Sequence, residues 1–394
     1  MRLALTDEQL ELQQTLREYF TGLMTPELEE ELAYSEGGGP LAKEAVKQMA
    51  KDGWLGIGWP MQYGGQGRGP IDQFIFYDEV QRAGAPFPIL TVNTVGPTLQ
   101  DFGTEEQKDE FLPKILAGEL HFSIGYTEPG AGTDLASLTT RAEREGDMLV
   151  INGQKMFTSL ADIADWVWLA CRTTPGGKKH EGISLVLVPT DSEGFSFTPI
   201  NTVGAARTFA TYYEDVRVPV SNVVGGEAGL DQGWKMIVTQ LNRERVALCS
   251  SGALERNYLS VRAWAQQTEL ADGSRVIDQE WVRVHLARVH AKLDALRLIN
   301  FKVAWGVSEG LINVADSSAT KVFGTELYCE AYGLLLEILG AAGLLRRGSP
   351  GALLKGSLER TYRGVLILTF GGGTNEIQRD LIAAFGLQMP RPLR

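Results

Sequence analysis

The chain has 394 residues and a formal net charge of −12, from 49 acidic against 37 basic side chains. A hydrophobic share of 44% with 22% charged residues leaves enough apolar surface to offset the entropy of ordering, which excludes a disordered chain. The acidic balance argues against nucleic-acid binding, and the length points to two or three subdomains.

Thr6 and Gln9 are spaced as a capping box, with Leu5 and Leu10 at the staple positions. Leu12, Leu16, Tyr19 and Phe20 follow at helical spacing, so a first helix is predicted here. A second helix is predicted from near Pro40 to near Gly53, with Leu41, Ala45 and Met49 on one face. After a glycine-rich loop over 56–69, helices are predicted over 71–82, 89–101 and 105–117; Thr104 and Gln107 open the last with another capping box. Past Gly118 the period becomes that of strands, over 121–127, 139–144, 148–152, 165–173, 183–189, 195–200 and 210–218. Glu145-Gly146-Asp147 reads as a hairpin turn, and Asn152-Gly153 as a type I′ turn into a strand over 154–159. From Leu230 the helical period returns, with helices over 233–267, 278–308, 313–342 and 351–369 and a short one after Gly373-Thr374. The expected fold class is therefore α+β, mostly α. An N-terminal helical domain (1–120) precedes a central antiparallel β-domain (121–229) and a C-terminal helical bundle (230–394).

Several chemistries are excluded by missing patterns. Cys171, Cys249 and Cys329 lie far apart with no CxxC, so neither a disulfide framework nor a thiolate metal site is expected; reduced thiols in a cytoplasmic protein fit better. His285 and His290 are five apart, off the i, i+4 face of a paired metal site, and no metal is expected. No apolar signal region opens the chain. The most apolar stretch, 333–345, is short and carries Glu337, so no membrane span is expected. No GxGxxG follows a strand and no GxSxG is present; GALLKGS over 351–357 has P-loop spacing without its ending and reads as a helix start.

Three segments carry the remaining signal. Tyr126-Thr127-Glu128-Pro129-Gly130-Ala131-Gly132-Thr133-Asp134 can turn its backbone N–H groups one way, with the hydroxyls of Thr127 and Thr133 as further donors. It could cradle a polyanion or the polar edge of a heterocycle, or simply join two strands. Gln154-Lys155-Met156-Phe157-Thr158-Ser159 places an aromatic beside two hydroxyls, and Phe157 taken alone reads as core. In Phe370-Gly371-Gly372-Gly373-Thr374, three glycines end a hydrophobic helix and Thr374 can cap the next. A C-cap needs only one glycine.

Together, YTEPGAGTD, NGQKMFTS and FGGGTNEIQRD resemble the acyl-CoA dehydrogenase family over the whole chain, in the same order of helical, β and helical domains. HFSIGYTEPGAGTDLA, LNRERVAL and LTFGGGTNEIQRD look most like actinobacterial members acting on steroid side-chain CoA thioesters. The resemblance implies FAD held without a Rossmann fold. Tyr126, Thr127, Gly132 and Thr133 would line the flavin. Phe157 would pack on the ring where the family often has Trp, Ser159 would bond the flavin edge, and Thr374 would approach the pyrophosphate.

The resemblance also implies an acyl-CoA substrate and a carboxylate base. The commonest base position is here Gly372, which cannot accept a proton. Glu244, in Leu241-Asn242-Arg243-Glu244-Arg245-Val246-Ala247-Leu248, matches the position a minority of members use, and Arg245 matches an Arg of the CoA-binding region. Helical spacing agrees, since Glu244 falls on a stripe of Ile237, Leu241, Leu248 and Gly252, where partial desolvation raises a carboxyl toward a general base's range. A solvated glutamate would sit better at Glu255. The Gly372 N–H, with a flavin ribityl hydroxyl, would then stabilise the enolate oxygen.

A further departure concerns neighbouring subunits. The family's R-x-x-F-G turn, which reaches a neighbour's FAD, is replaced by Gln267-Thr268-Glu269-Leu270-Ala271-Asp272-Gly273-Ser274-Arg275. A helix Gln becomes Glu280, and Q-I-L-G-G becomes Glu337-Ile338-Leu339-Gly340-Ala341. A hetero-oligomer with a second acyl-CoA dehydrogenase-like subunit is therefore expected, with an electron-transfer flavoprotein as oxidant. The Gly371-Gly372 pair suits a bulky acyl chain. A flavin-dependent acyl-CoA oxidase, or a non-catalytic subunit completing a partner's FAD site, remain alternatives.

Overall fold

The computed structural model describes residues 4–34, 37–204, 207–247, 249–311 and 313–390, apart from the side chains of 242–247. Capping chemistry starts its first helix as the spacing predicts. The Thr6 N–H donates to Gln9 Oε1 at 3.0 Å and the Gln9 N–H to Thr6 Oγ1 at 3.3 Å, opening α1 (Asp7–Leu23). Leu12, Leu16 and Phe20 of α1 pack against Ile75, Phe76 and Val80 of α4 (Pro70–Ala83). Between them lie α2 (Pro26–Tyr34) and α3 (Pro40–Lys51). Helix α2 was not expected. Its sequence buries only Leu28, against Ala42 and Ala45, so its amphipathic signal is faint.

The helix expected over 89–101 divides. A π-helical segment, Leu90–Val95, leads into α5 (Gly96–Phe102). Pro97 can donate no bond and the Gly96 N–H reaches back to Thr91 O, so the regular ladder is broken here. The capping box of Thr104 and Gln107 opens α6 (Glu105–Leu116). Gln107 Nε2 also donates to Ser221 O at 2.8 Å and Val223 O at 2.7 Å, tying this domain to the β-layer.

The β-layer consists of β1 (Phe122–Gly125), β2 (Arg141–Glu145), β3 (Met148–Lys155), β4 (Trp166–Arg172), β5 (Ile183–Pro189), β6 (Phe195–Asn201) and β7 (Arg207–Pro219). They form one sheet in the order β1-β4-β2-β3-β7-β6, with β5 also on β4. Its pairs are antiparallel as expected, with two exceptions. β1 runs parallel to β4, from Phe122 opposite Trp166 to Gly125 opposite Leu169, and β2 meets β4 in parallel at Arg141 and Arg172. The β2–β3 hairpin supplies the long crossover a parallel pair needs. Asn152-Gly153 is not a turn. It lies within β3, where the register against β7 shifts between Ile151 and Gly153, a bulge with Thr140 packed against it.

The remaining helices are α7 (Gly233–Ala247), α8 (Gly252–Gln267), α9 (Glu280–Ser308), α10 (Val314–Leu339), α11 (Ser357–Val365) and α12 (Asn375–Leu381). The single helix expected over 233–267 is thus two. Both Ser250 and Ser251 hydroxyls donate to Asp78 Oδ1 at 2.8 Å, and the Gly252 N–H joins them at 3.0 Å. Asn300 Nδ2 donates to Cys249 O at 2.7 Å, and the Tyr328 hydroxyl donates to Ser250 O. These bonds from α4, α9 and α10 replace the helical ladder, and burial pushes the Asp78 carboxyl up even with three donors on it.

Helix α10, continued to Leu344, is long and apolar enough by composition alone to cross a membrane. Here it is a core helix, with Leu327, Tyr328, Ala331, Tyr332 and Leu335 buried in one cluster with Leu254, Leu286 and Leu293. It crosses the α7–α8 break closely enough that a Cβ on Gly324 would lie 2.7 Å from Cys249 Cβ and 2.9 Å from its Sγ. Gly324→Ala is therefore expected to destabilise the protein by about 1–3 kcal/mol through overpacking. An unchanged urea midpoint would show that the contact is slack.

Candidate functional site

The loop over 126–134 is built around a buried ion pair. Lys155 Nζ lies 2.7 Å from Glu128 Oε1 with both side chains buried, and also donates to Tyr126 O at 3.0 Å. Glu128 further accepts from the Thr139 N–H at 2.6 Å, the Thr139 hydroxyl at 2.7 Å and the Thr140 N–H at 2.8 Å. Burial would push this carboxyl up, but the Lys155 ammonium and the Thr140 donors outweigh it and hold it down at about 2. Burial pushes the Lys155 ammonium down. The glutamate of the motif is therefore a brace, and Gly132 and Thr133 are left exposed on the loop with Thr127 half-buried.

Tyr126 differs from its expected place. It is 8% exposed, its hydroxyl donates to Gln240 Oε1 and accepts from Trp168 Nε1, and its side chain belongs to the core beneath the loop. It contributes to the site by fixing α7 against β1. Gln240 lies one helical turn before Glu244, and its buried Nε2 has no partner among the described residues. The side chains of Glu244 and Arg245 lie outside the described residues; their backbone lies in the last turns of α7. Leu248 is also outside them, and Gly252 opens α8, so the stripe expected through these positions crosses a helix break.

Phe157 is not core. Its φ is 60° and its side chain is 56% exposed, while its neighbours Lys155 and Thr158 are fully buried. An aromatic held open between buried neighbours offers a flat apolar face to a ring. The Met156 N–H donates to Thr127 O at 2.7 Å, so this segment adjoins the 126–134 loop directly. Ser159 is half-buried, with its hydroxyl 3.1 Å from that of Thr208.

The third segment is the turn between α11 and α12. Gly372 has φ +68°, and its N–H makes no backbone hydrogen bond among the described residues. Thr374 caps α12, accepting from the Ile377 N–H at 3.3 Å as predicted. Gln378 on α12 is fully buried with neither amide atom partnered among the described residues. The structure joins this turn to the other segments through α10 and α7.

These groups fit a flavin: an open aromatic face, loop N–H groups and hydroxyls, and, among the described residues, a glycine N–H without a backbone partner and buried amides without partners. Two cavities lie away from these groups. One of about 480 Å³ between α8 and α9 is lined by Tyr258, Arg262, Arg283 and His290. One of about 470 Å³ is lined by His180, Asp231, Trp234 and Lys235 beside the start of α7. Among the described residues no group of three or more His, Cys, Asp or Glu could hold a metal. Of the segments that differ from the family pattern, 268–275 forms a small hairpin with Glu269 opposite Arg275, Glu280 opens α9, and Glu337 pairs with His285 at 2.7 Å.

Comparison with known proteins matches most of this chain to one family. The N-terminal domain of acyl-CoA dehydrogenase matches residues 6–119, the middle domain 123–216 and the C-terminal domain 231–387. The chain is 56% identical to acyl-CoA dehydrogenase FadE26 of Mycobacterium tuberculosis, covering 100% of both. Its structure superposes with a TM-score of 0.93 on a chain of the ChsE4-ChsE5 complex from Mycobacterium tuberculosis, at 56% identity and full coverage of both. A chain of the Tcur3481-Tcur3483 steroid ACAD gives the same TM-score at 52% identity, again over the full length of both.

Lys155→Met leaves Glu128 buried without its partner and should cost about 3–5 kcal/mol in urea unfolding. The depressed Glu128 pKa means that its stabilisation is present above its ordinary value near 4.5 and is lost as pH falls toward 2. Glu128→Gln should therefore flatten the fall of the urea midpoint over that window. A wild-type slope in the variant would contradict the brace.

Proposed function

From the premise that this chain belongs to the acyl-CoA dehydrogenase family, we propose that it is an FAD-dependent dehydrogenase of bulky acyl-CoA thioesters, with Glu244 as its base. The observation carrying this reading is Gly372, whose N–H makes no backbone hydrogen bond among the described residues where a carboxylate is commonest, together with a glutamate one turn beyond the anchored Gln240. Glu244 takes the α-proton. The Gly372 N–H donates to the thioester oxygen where negative charge develops, and Arg245 binds the CoA moiety. Thr127, Gly132, Thr133, Ser159 and Thr374 hold the flavin by its polar groups, and Phe157 holds its ring; Tyr126 supports them from below. What a bound flavin supplies is a two-electron acceptor for the β-hydride, so that the product is a trans-2-enoyl-CoA and an electron-transfer flavoprotein is the onward oxidant. The domain division at 120 and 229 and a cytoplasmic location belong to the same proposal.

The steroid-related substrate class is supported by the name of the similar Tcur3481-Tcur3483 structure and by the glycine pair on the acyl side. Glu244→Gln should keep bound flavin yet slow anaerobic bleaching by a side-chain steroid CoA ester by about 10²–10⁴-fold. Octanoyl-CoA should bleach the wild type far more slowly than the steroid ester. Near-normal bleaching in the variant would remove Glu244 from the mechanism.

A two-component assembly is supported by the paired chains in both similar structures and by the loss here of the Arg, Phe and Gln lent to a neighbour. Each lost charge-assisted contact weakens FAD by roughly ten- to a hundredfold. Expressed alone, the chain should be flavin-poor; co-expressed with an acyl-CoA dehydrogenase-like partner, it should carry one FAD per heterodimer. A homotetramer with one FAD per subunit and full activity would rule this out.

A further inference from the structure

Lys321 lies in the N-terminal half of α10 and is 0% exposed. Its ammonium donates to Thr369 O at 3.1 Å, Gly373 O at 2.7 Å and Asn375 Oδ1 at 2.7 Å. An ammonium has three N–H bonds, and among the described residues three acceptors come from this one short turn. Two of them flank Gly371 and Gly372, so the turn is closed between points held by one cation. Asn375 is itself fixed, with its Nδ2 donating to Thr325 Oγ1 at 3.1 Å and Glu326 Oε1 at 3.2 Å. On the same turn of α10, Lys321 O accepts from Cys249 Sγ at 3.8 Å, at the break that ends α7. A single stretch of α10 therefore touches both the turn bearing Gly372 and the end of the helix bearing Glu244.

We propose that Lys321 is a positioning residue for the reaction: it draws the carbonyls on either side of the glycines toward α10 and so holds the Gly372 N–H toward the acyl oxygen, in register with α7. This rests on the reading of Gly372 and Glu244 given above. Misplacing a catalytic group by about 1 Å can cost on the order of a hundredfold in rate without comparable loss of binding.

The test uses the full chain, co-expressed with its partner where that is needed for flavin. Lys321→Met keeps the stem and removes the donors; Lys321→Gln keeps an N–H donor. In Lys321→Met, amide hydrogens over 370–375 should exchange at least about tenfold faster than in wild type, a readout independent of flavin. The anaerobic flavin-reduction rate should fall by about a hundredfold while the half-saturating acyl-CoA concentration changes little, and Lys321→Gln should recover part of both. If Lys321→Met does not yield folded protein, Asn375→Ala, which removes one acceptor, should show the same two effects more weakly. Wild-type exchange and reduction in the variants would overturn the positioning role. Loss of reduction in Glu244→Gln alongside that result would leave the mechanism standing. Retention of reduction in both would sink the mechanism itself.

Discussion

Two buried ammonium groups, on Lys155 and Lys321, set the shape of the functional face. Each is fully buried and each donates to oxygens of an otherwise irregular loop. Burying a cation is costly unless it is paired and hydrogen-bonded, so the loop must keep its oxygens where the cation needs them. That requirement turns glycine-rich segments, which would gain conformational freedom if released, into fixed surfaces. Lys155 holds the 126–134 loop through Glu128 and Tyr126 O, and Lys321 holds the 369–375 turn.

The helices place these loops relative to one another. Gln240 meets the Tyr126 hydroxyl from α7, and Asp78, Asn300 and Tyr328 fix the break where α7 ends. The β-layer thus supplies an aromatic face and hydroxyls, while the C-terminal helices supply the glycine turn at Gly372 and a carboxylate-bearing helix. Neither layer alone carries a complete set of groups for removing a proton and a hydride from adjacent carbons. In the proposed reaction, Glu244 and the Gly372 N–H would remove the proton and stabilise the developing charge, and a bound flavin would supply the electron acceptor.

Local signals are legible in the sequence because their partners are close in the chain. The capping boxes at Thr6 and Thr104, the Thr374 cap and the 145–147 hairpin all form as spacing predicts. Where distant contacts decide, the sequence pattern misleads. Asn152-Gly153 carries the signal of a turn, but pairing with β7 makes it a bulge. The 233–267 segment has helical period throughout, and only groups from α4, α9 and α10 reveal the break. Phe157 looked like core by composition, and its positive φ is what turns it outward. The motif segments stood out by their glycines and hydroxyls. Gln240 and Lys321 carry no comparable signal, and Lys155 reads only as one residue of its motif, since a lysine or glutamine in a strand or helix is ordinarily a solvated residue.

The most direct measurement is a crystal structure of the co-expressed protein with FAD and a non-reactive thioether analogue of a bulky acyl-CoA. The predicted result is an isoalloxazine ring against Phe157, the analogue's carbonyl-equivalent oxygen on the Gly372 N–H, and its α-carbon facing the Glu244 carboxylate. A flavin bound away from Phe157, or an acyl chain whose α-carbon faces a different base, would contradict the assignment of this site.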